Sequence, residues 1–320
     1  MRRPLGKWGA MAFSLGLLGF IYSRLDFRSF AERILNADPL WLGIAFLCFG
    51  PQVFVTTLRW RVMIQSLAPV DTSRALRMVM AAKALNALVP SKLGEMSKAY
   101  FLRKETGAGV RIGFPAVLLE KILDLGGLCF WMLLGIFLAP EIQEPMVIGA
   151  SIGLGVLAAS AASIVLPQLG LGLKEKFRGK LAEVMFGWAE LTRSWVERPG
   201  RLMTIVSLSV TLWGLHMLQI YLFFPVLRQS MDVSIALAYI PLSLLAGLLP
   251  ITLAGMGTRD AALILLFSPW ADASTMAGVG LLCTMRYWSD TLMGVPFLHN
   301  YTAQIGRKGE GEKLHDPGSQ

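Results

Sequence analysis

At two places about half the chain apart, an apolar run stops at a proline, passes through glycine and resumes as an apolar run that opens with charge. The first reads Leu88-Val89-Pro90-Ser91-Lys92-Leu93-Gly94-Glu95 and continues to Lys98. The second reads Leu249-Pro250-Ile251-Thr252-Leu253-Ala254-Gly255-Met256-Gly257-Thr258-Arg259-Asp260. A carboxylate follows each break inside a hydrophobic segment: Asp124 comes 34 residues after Pro90, and Asp290 comes 40 after Pro250. Proline removes a backbone donor and breaks a helix. In lipid, freed backbone groups are tolerated only where protein or a water-filled cavity surrounds them. Broken helices at matching places in two halves mark a transporter built from a duplicated unit.

Lipid is the solvent that composition dictates. Of 320 residues, 54% are hydrophobic and only 16% charged, where a soluble domain carries nearer 25%. A span needs about 20 apolar residues, and the chain offers such runs at about 8–23, 40–58, 112–139, 146–166, 202–227 and 275–298. Two more, about 75–102 and 233–268, are the interrupted ones. The N-terminal run has no small-residue cleavage site after it and is read as a retained first span. A net charge of +9 would suggest nucleic acid in a soluble protein. Here it reflects the Lys and Arg that gather in cytoplasmic loops, and no nucleic-acid partner is expected.

The positions of those cations orient the chain. With a cytoplasmic N-terminus and each interrupted region entering and leaving on one side, 22 of the 30 Lys and Arg, Arg59 and Lys98 among them, fall in cytoplasmic segments and four outside. Lys83, Lys121, Arg259 and Arg286 then lie at membrane depth. The expected fold is an all-α polytopic membrane protein, six full spans plus two re-entrant hairpins. Each half (1–139 and 140–300) has three spans and one broken hairpin. An odd number of crossings per half inverts the second relative to the first, so the two hairpin tips meet near the midplane. A plain eight-span arrangement is the alternative; it strands Arg103, Lys104 and Arg111 outside. Residues 171–201 read as an amphipathic helix on the cytoplasmic face or a solvated linker, and 301–320 as a disordered cytoplasmic tail. The expected location is the cell inner membrane, with both termini cytoplasmic.

Ionisable residues at membrane depth nominate the site, because each is costly unless paired. Glu120 and Asp124 are four apart and share a helix face, with Lys121 on the flank and Lys83 within reach. Arg286 and Asp290 are also four apart, which suits an internal ion pair. Thr258 suits the N-cap of the returning half-helix, and Arg259 and Asp260 beside it suit a phosphate headgroup, since half-helix N-termini attract anions. Gly94 and Glu95 occupy the corresponding place in the first half. Asn86 either satisfies backbone freed at the break or meets substrate. Each of these sets is equally open to a structural reading. His216 reads as a packed, hydrogen-bonded histidine. No metal-ligand spacing, phosphate loop or Ser/His/Asp set is present, so no metal, cofactor or ATP-driven step is expected.

Asn86 through Glu95, Glu120-Lys121-Ile122-Leu123-Asp124, and Leu249-Pro250 with Gly255-Met256-Gly257-Thr258-Arg259-Asp260 resemble the signature blocks of the flippase-like membrane domain of lysylphosphatidylglycerol synthase/flippase proteins. The resemblance covers nearly all of 5–300. It departs at Arg259-Asp260, where the family usually has Arg-Glu. No soluble catalytic domain is expected after residue 300, so the aminoacyl transfer of bifunctional members does not carry over. The resemblance implies movement of a lipid or its headgroup between leaflets. The chain is therefore expected to be a transporter of an anionic or phosphate-bearing lipid, not an enzyme. Its headgroup would sit near Arg259, Lys83 and Arg286, with Glu95, Glu120 and Asp124 gating it or exchanging protons. Two alternatives stand beside this: an intramembrane lipid-modifying enzyme with Glu120 or Asp124 as general base, and a non-catalytic partner of a lipid- or glycan-synthesis enzyme, recruited through 171–201.

Overall fold

A computed structural model describes residues 16, 19, 26–86, 94–139, 141, 143–169, 179–248 and 257–313. The expected breaks at Pro90, Pro250 and Gly255, and nearly all of the expected span at 8–23, lie outside the described residues. Among the described residues there are helices and no strand. The helices are α1 (Phe27–Leu35), α2 (Pro39–Leu47), α3 (Phe49–Ile64), α4 (Thr72–Leu85), α5 (Ser97–Thr106), α6 (Val110–Leu138), α7 (Glu144–Val165), α8 (Lys180–Val196), α9 (Pro199–Tyr221), α10 (Phe223–Val226), α11 (Val233–Gly247), α12 (Thr258–Leu266) and α13 (Ala273–Lys313). Four continuous stretches among them are long and apolar enough to cross a membrane: Pro39–Ile64, Arg111–Leu138, Glu144–Gln168 and Pro199–Val226. The protein is an all-α polytopic membrane protein.

Aspartates start the helices. Asp26, Asp38, Asp71 and Asp232 cap α1, α2, α4 and α11 by accepting hydrogen bonds from first-turn backbone N–H groups, donors that have no partner within the helix. Asp272 does the same for α13 through Thr275 N at 2.9 Å and also binds Arg33 at 2.6 Å. Burial works against the ionised Asp272, yet the Thr275 bonds and Arg33 hold its carboxyl below the usual range.

Both interrupted regions are pairs of short helices. At about 1.5 Å per residue, α4 and α5, with 14 and 10 residues, and α11 and α12, with 15 and 9, each fall short of a hydrocarbon core of roughly 30 Å. The first pair doubles back on itself: a Cβ added at Gly94 would collide with the backbone of Leu85 and Asn86. Only glycine permits that approach.

The core is divided in two. One apolar cluster gathers Trp60, Met63, Met78, Val79, Phe101, Leu102, Ala116, Leu119, Leu191, Trp195 and Tyr301. The other gathers Leu128, Met217, Phe223, Phe224, Ile235, Tyr239, Leu263, Phe267, Met276 and Cys283. Hairpin α4–α5 belongs to the first cluster and hairpin α11–α12 to the second. Long helices run between them in opposite senses: α6 passes from the first to the second, and α13 from the second to the first. Each hairpin's leading arm packs on the long helix of the other half, α4 on α13 and α11 on α6.

Glycines seat these crossings. A Cβ at Gly135 of α6 would overlap the α11 backbone at Leu237 and Ala238, and one at Gly294 of α13 would overlap the α4 backbone at Met80 and Ala84. Gly294→Val is expected to cost about 1–3 kcal/mol, as overpacking does. A lowered thermal midpoint in detergent would show it, while Gly155→Ala, with nothing within 4 Å of the added carbon, leaves the midpoint in place.

Two boundaries differ from the sequence reading. The last helix does not stop near residue 300 but continues to Lys313, with Tyr301 buried against Phe101 at 4.2 Å between ring centroids; for 301–313 this replaces the expected disordered tail. From Trp188 to Trp195 the amphipathic segment turns its apolar stripe inward, while Leu181 is exposed. Trp195 of α8 donates to Met63 O at 2.9 Å and Trp188 to Ser163 O at 2.8 Å, so the face expected to meet membrane or partner is packed on the bundle.

Candidate functional site

Between the two apolar clusters lies a polar layer, and four helices each supply it at the point where they leave one cluster for the other. Arg59 precedes Trp60 on α3. Glu120, Lys121 and Asp124 lie between Ala116 and Leu128 on α6. Ser209, Trp213 and His216 lie between Ile205 and Met217 on α9. Arg286, Tyr287 and Asp290 lie between Cys283 and Phe297 on α13. The hairpin arms add residues that flank the breaks, Lys83, Asn86, Glu95 and Lys98 from the first and Arg259 from the second.

The first-half charges close into one network. The Arg59 guanidinium, 1% exposed, binds Glu120 Oε1 at 3.1 Å and Asp124 Oδ1 at 2.7 Å. Lys98 Nζ binds Glu120 Oε2 at 2.5 Å and lies 3.7 Å from Glu95. Lys121 bridges Glu95 and Asp124, the latter at 2.9 Å. Three cations thus alternate with three carboxylates and neutralise one another. Glu120 and Asp124 share a helix face, as their spacing predicts, and that face meets Arg59. The network ties the first hairpin's returning arm to α3 and α6. Lys98 also stands over the Trp60 ring at 5.2 Å, a cation–π contact strengthened by exclusion of water.

The second-half charges pair differently from the sequence expectation. Lys83 does not reach Glu120 or Asp124; its Nζ binds Asp290 Oδ2 at 2.7 Å. Arg286 and Asp290 are not an internal pair. Arg286 Nη1 donates to His216 Nδ1 at 3.1 Å and to Gln219 Oε1 at 3.4 Å, and Gln219 in turn receives Gln52 Nε2 at 2.9 Å. A guanidinium only donates, so in this contact His216 Nδ1 is the acceptor. Thr258 is not the N-cap of α12; Gly257 is, at φ 104°, with its N–H donating to the Asp260 carboxylate. Arg259 binds Asp260 Oδ1 at 2.6 Å, Gly280 O at 2.8 Å and Thr284 Oγ1 at 3.0 Å. These bonds fasten the second hairpin's returning arm to α13.

A cavity of about 340 Å³ occupies this layer. Nine of the ten residues that the sequence nominates line it: Lys83, Asn86, Glu95, Glu120, Lys121, Asp124, Arg259, Arg286 and Asp290. Asp260 stands behind Arg259. Tyr287 donates to Asn86 O at 2.6 Å and holds the end of α4 to α13. The sequence reading missed Arg59 and Lys98 by counting both among cytoplasmic loop charges. Their signal is charge balance: three carboxylates at membrane depth call for three cations, and the sequence reading offers them only Lys121 and Lys83, of which Lys83 pairs elsewhere. His216 is hydrogen-bonded, as read, and also faces the cavity. Among the described residues, no group of three His, Cys, Asp or Glu side chains is placed to hold a metal ion.

Comparison with known proteins adds a family to this geometry. The family described as the lysylphosphatidylglycerol synthase TM region matches residues 7–294. Two UPF0104 membrane proteins of Methanocaldococcus jannaschii are similar: one is 25% identical over 72% of this chain and 99% of its own length, the other 26% identical over 82% and 84%. A UPF0104 membrane protein of Methanothermobacter thermautotrophicus is 21% identical over 87% of this chain and 90% of its own length.

Proposed function

The chain belongs to the lysylphosphatidylglycerol synthase transmembrane-region family, and from that premise we propose that it moves a lipid with an anionic or phosphate-bearing headgroup between the leaflets of the cell inner membrane. The headgroup passes through the polar cavity while the acyl chains stay in the bilayer. The observation that carries this reading is the cavity's position: it lies between two apolar clusters and is lined by residues that flank the break in each hairpin, Asn86 and Glu95 in the first and Leu248 and Arg259 in the second. A lipid headgroup crossing hydrocarbon needs such a layer of fixed charge, since an unpaired charge there costs several kcal/mol.

Two further features support a device with two faces. Hairpins belonging to opposite clusters, each packed on the other half's long helix, are what an inverted duplication produces. The ties holding their returning arms are polar and exchangeable: ion pairs to α3 and α6 for the first, hydrogen bonds to α13 for the second. Breaking one set opens the cavity toward one side. The excess of Lys and Arg in the loops supports cytoplasmic termini. The reading treats the chain as a transporter, not an enzyme. Both oxygens of Glu120 are taken by Arg59 and Lys98, and Asp124 is held by Arg59 and Lys121, which leaves neither as a ready base.

Purified protein in liposomes tests the reading. It is expected to accelerate exchange of headgroup-labelled lipids between leaflets over protein-free vesicles. An unchanged exchange rate would overturn it, and a new lipid species appearing in the same vesicles would replace it with the lipid-modifying enzyme.

A further inference from the structure

The returning arm of the first hairpin is fastened at both ends. One end of α5 stands at the cavity, where Lys98 joins the ion network. The other end meets a single residue of the last helix. Tyr301 is 3% exposed, and its ring stacks on Phe101 at 4.2 Å between centroids. Its hydroxyl donates to Glu105 Oε1 at 3.1 Å. Its backbone carbonyl accepts from Lys104 Nζ at 2.7 Å, and the same ammonium stands 5.5 Å from the centre of the ring. Phe101, Lys104 and Glu105 follow the three- and four-residue spacing of one helix face, so that face of α5 closes on one residue. Arg77 of α4 interacts with the same side chain, which puts Tyr301 between the two arms of the hairpin. Among the described residues, each hydrogen bond between α5 and α13 runs through Tyr301.

We propose that Tyr301 is a latch on the cytoplasmic side of the cavity, which opens to that side only when Tyr301 leaves its seat between the arms. This rests on the transport reading and adds to it the contact that must break. Tyr301 and Phe101 belong to the first apolar cluster, which bounds the polar layer on the side where the loop Lys and Arg gather. Anything polar that leaves the layer toward the cytoplasm has to part that cluster. The ten residues of α5 form a rod of about 15 Å, tied to the cavity at one end and to Tyr301 at the other. The rod cannot swing away from α6 while both ends are held. Gly107 follows it at φ 73°, with nothing within 4 Å of an added Cβ. Such a residue at the end of an element is where a hinge absorbs its change of backbone angle. An aromatic stack and a few hydrogen bonds are small enough to break and re-form in each cycle.

Native cysteines supply the test. Cys283 lines the cavity and is 1% exposed, whereas Cys129 is fully buried outside its lining. Full-length protein that keeps only Cys283, through Cys48→Ala and Cys129→Ala, is treated in inside-out membrane vesicles with a membrane-impermeant maleimide. Tyr301→Ala is expected to speed labelling by about tenfold, the factor that 1.4 kcal/mol gives. Tyr301→Phe, which keeps the ring, is expected to speed it less. In right-side-out vesicles Tyr301→Ala should bring no increase. A parallel protein that keeps only Cys129 should stay unlabelled with Tyr301→Ala, because a latch opens the cavity without loosening the bundle. Unchanged labelling of Cys283 overturns the latch. So does an equal rise from the outer face, or a matching rise at Cys129, which would make Tyr301 a packing residue only. Leaflet exchange by the wild-type protein separates the two readings: its absence removes the transport reading, while a rise confined to Cys283 and to the cytoplasmic face supports the latch.

Discussion

Glu120→Leu is expected to destabilise the protein by about 3–5 kcal/mol, the cost of breaking a buried ion pair and leaving a charge uncompensated. Glu120 is 1% exposed and is the carboxylate shared by Arg59 and Lys98. Without it Arg59 keeps Asp124, but Lys98 keeps only Glu95 at 3.7 Å. The stranded cation is therefore Lys98, and Lys98→Met in the Glu120→Leu background should recover a large part of the loss. Thermal unfolding of the single and double variants in detergent measures both. A double variant no more stable than Glu120→Leu would mean that the network is not held together by these charges.

Trp195→Ala should rank beside it, at about 3–5 kcal/mol for a buried tryptophan. The ring is fully buried among residues of the first cluster, and its indole N–H supplies the bond to Met63 O. Trp195→Phe, which keeps most of the ring and loses that bond, should cost less. This pair of variants bears on what α8 is for. If the helix chiefly recruited another protein, truncating Trp195 would weaken that association with little change in the thermal midpoint. In the structure Leu191 and Trp195 of this helix are buried in the first cluster.

Much of the fold was legible because lipid restricts what a chain can do. Runs of apolar residues gave the long helices, and the prolines and glycines near 90 and 250 located the two interrupted regions. The nominated charges converge on one cavity because an ionisable residue inside a long apolar run has few affordable places to go. What the sequence did not disclose was pairing. Spacing of four on a helix suggested Arg286 with Asp290, yet Lys83 of another helix takes Asp290 and Arg286 turns to His216. Side chains on one face compete for partners from every neighbouring helix, and sequence spacing sees only their own. Arg59 and Lys98 were hidden for a related reason. A cation just past an apolar run looks like a loop charge until the fold carries a carboxylate to it. The last helix ran past its expected end because Tyr301 stacks on Phe101, a contact between residues two hundred positions apart that no local pattern announces.

If a headgroup enters the layer between the clusters, a lipid bearing a photoreactive headgroup will label it there. Cross-linked in liposomes and mapped by mass spectrometry, the label is predicted on peptides lining the cavity, around Leu125, Trp213 and Tyr287, and is predicted to fade when unlabelled phosphatidylglycerol competes. Labelling confined to outward-facing side chains such as Phe137, Leu154 and Leu292, with no competition, would contradict the account.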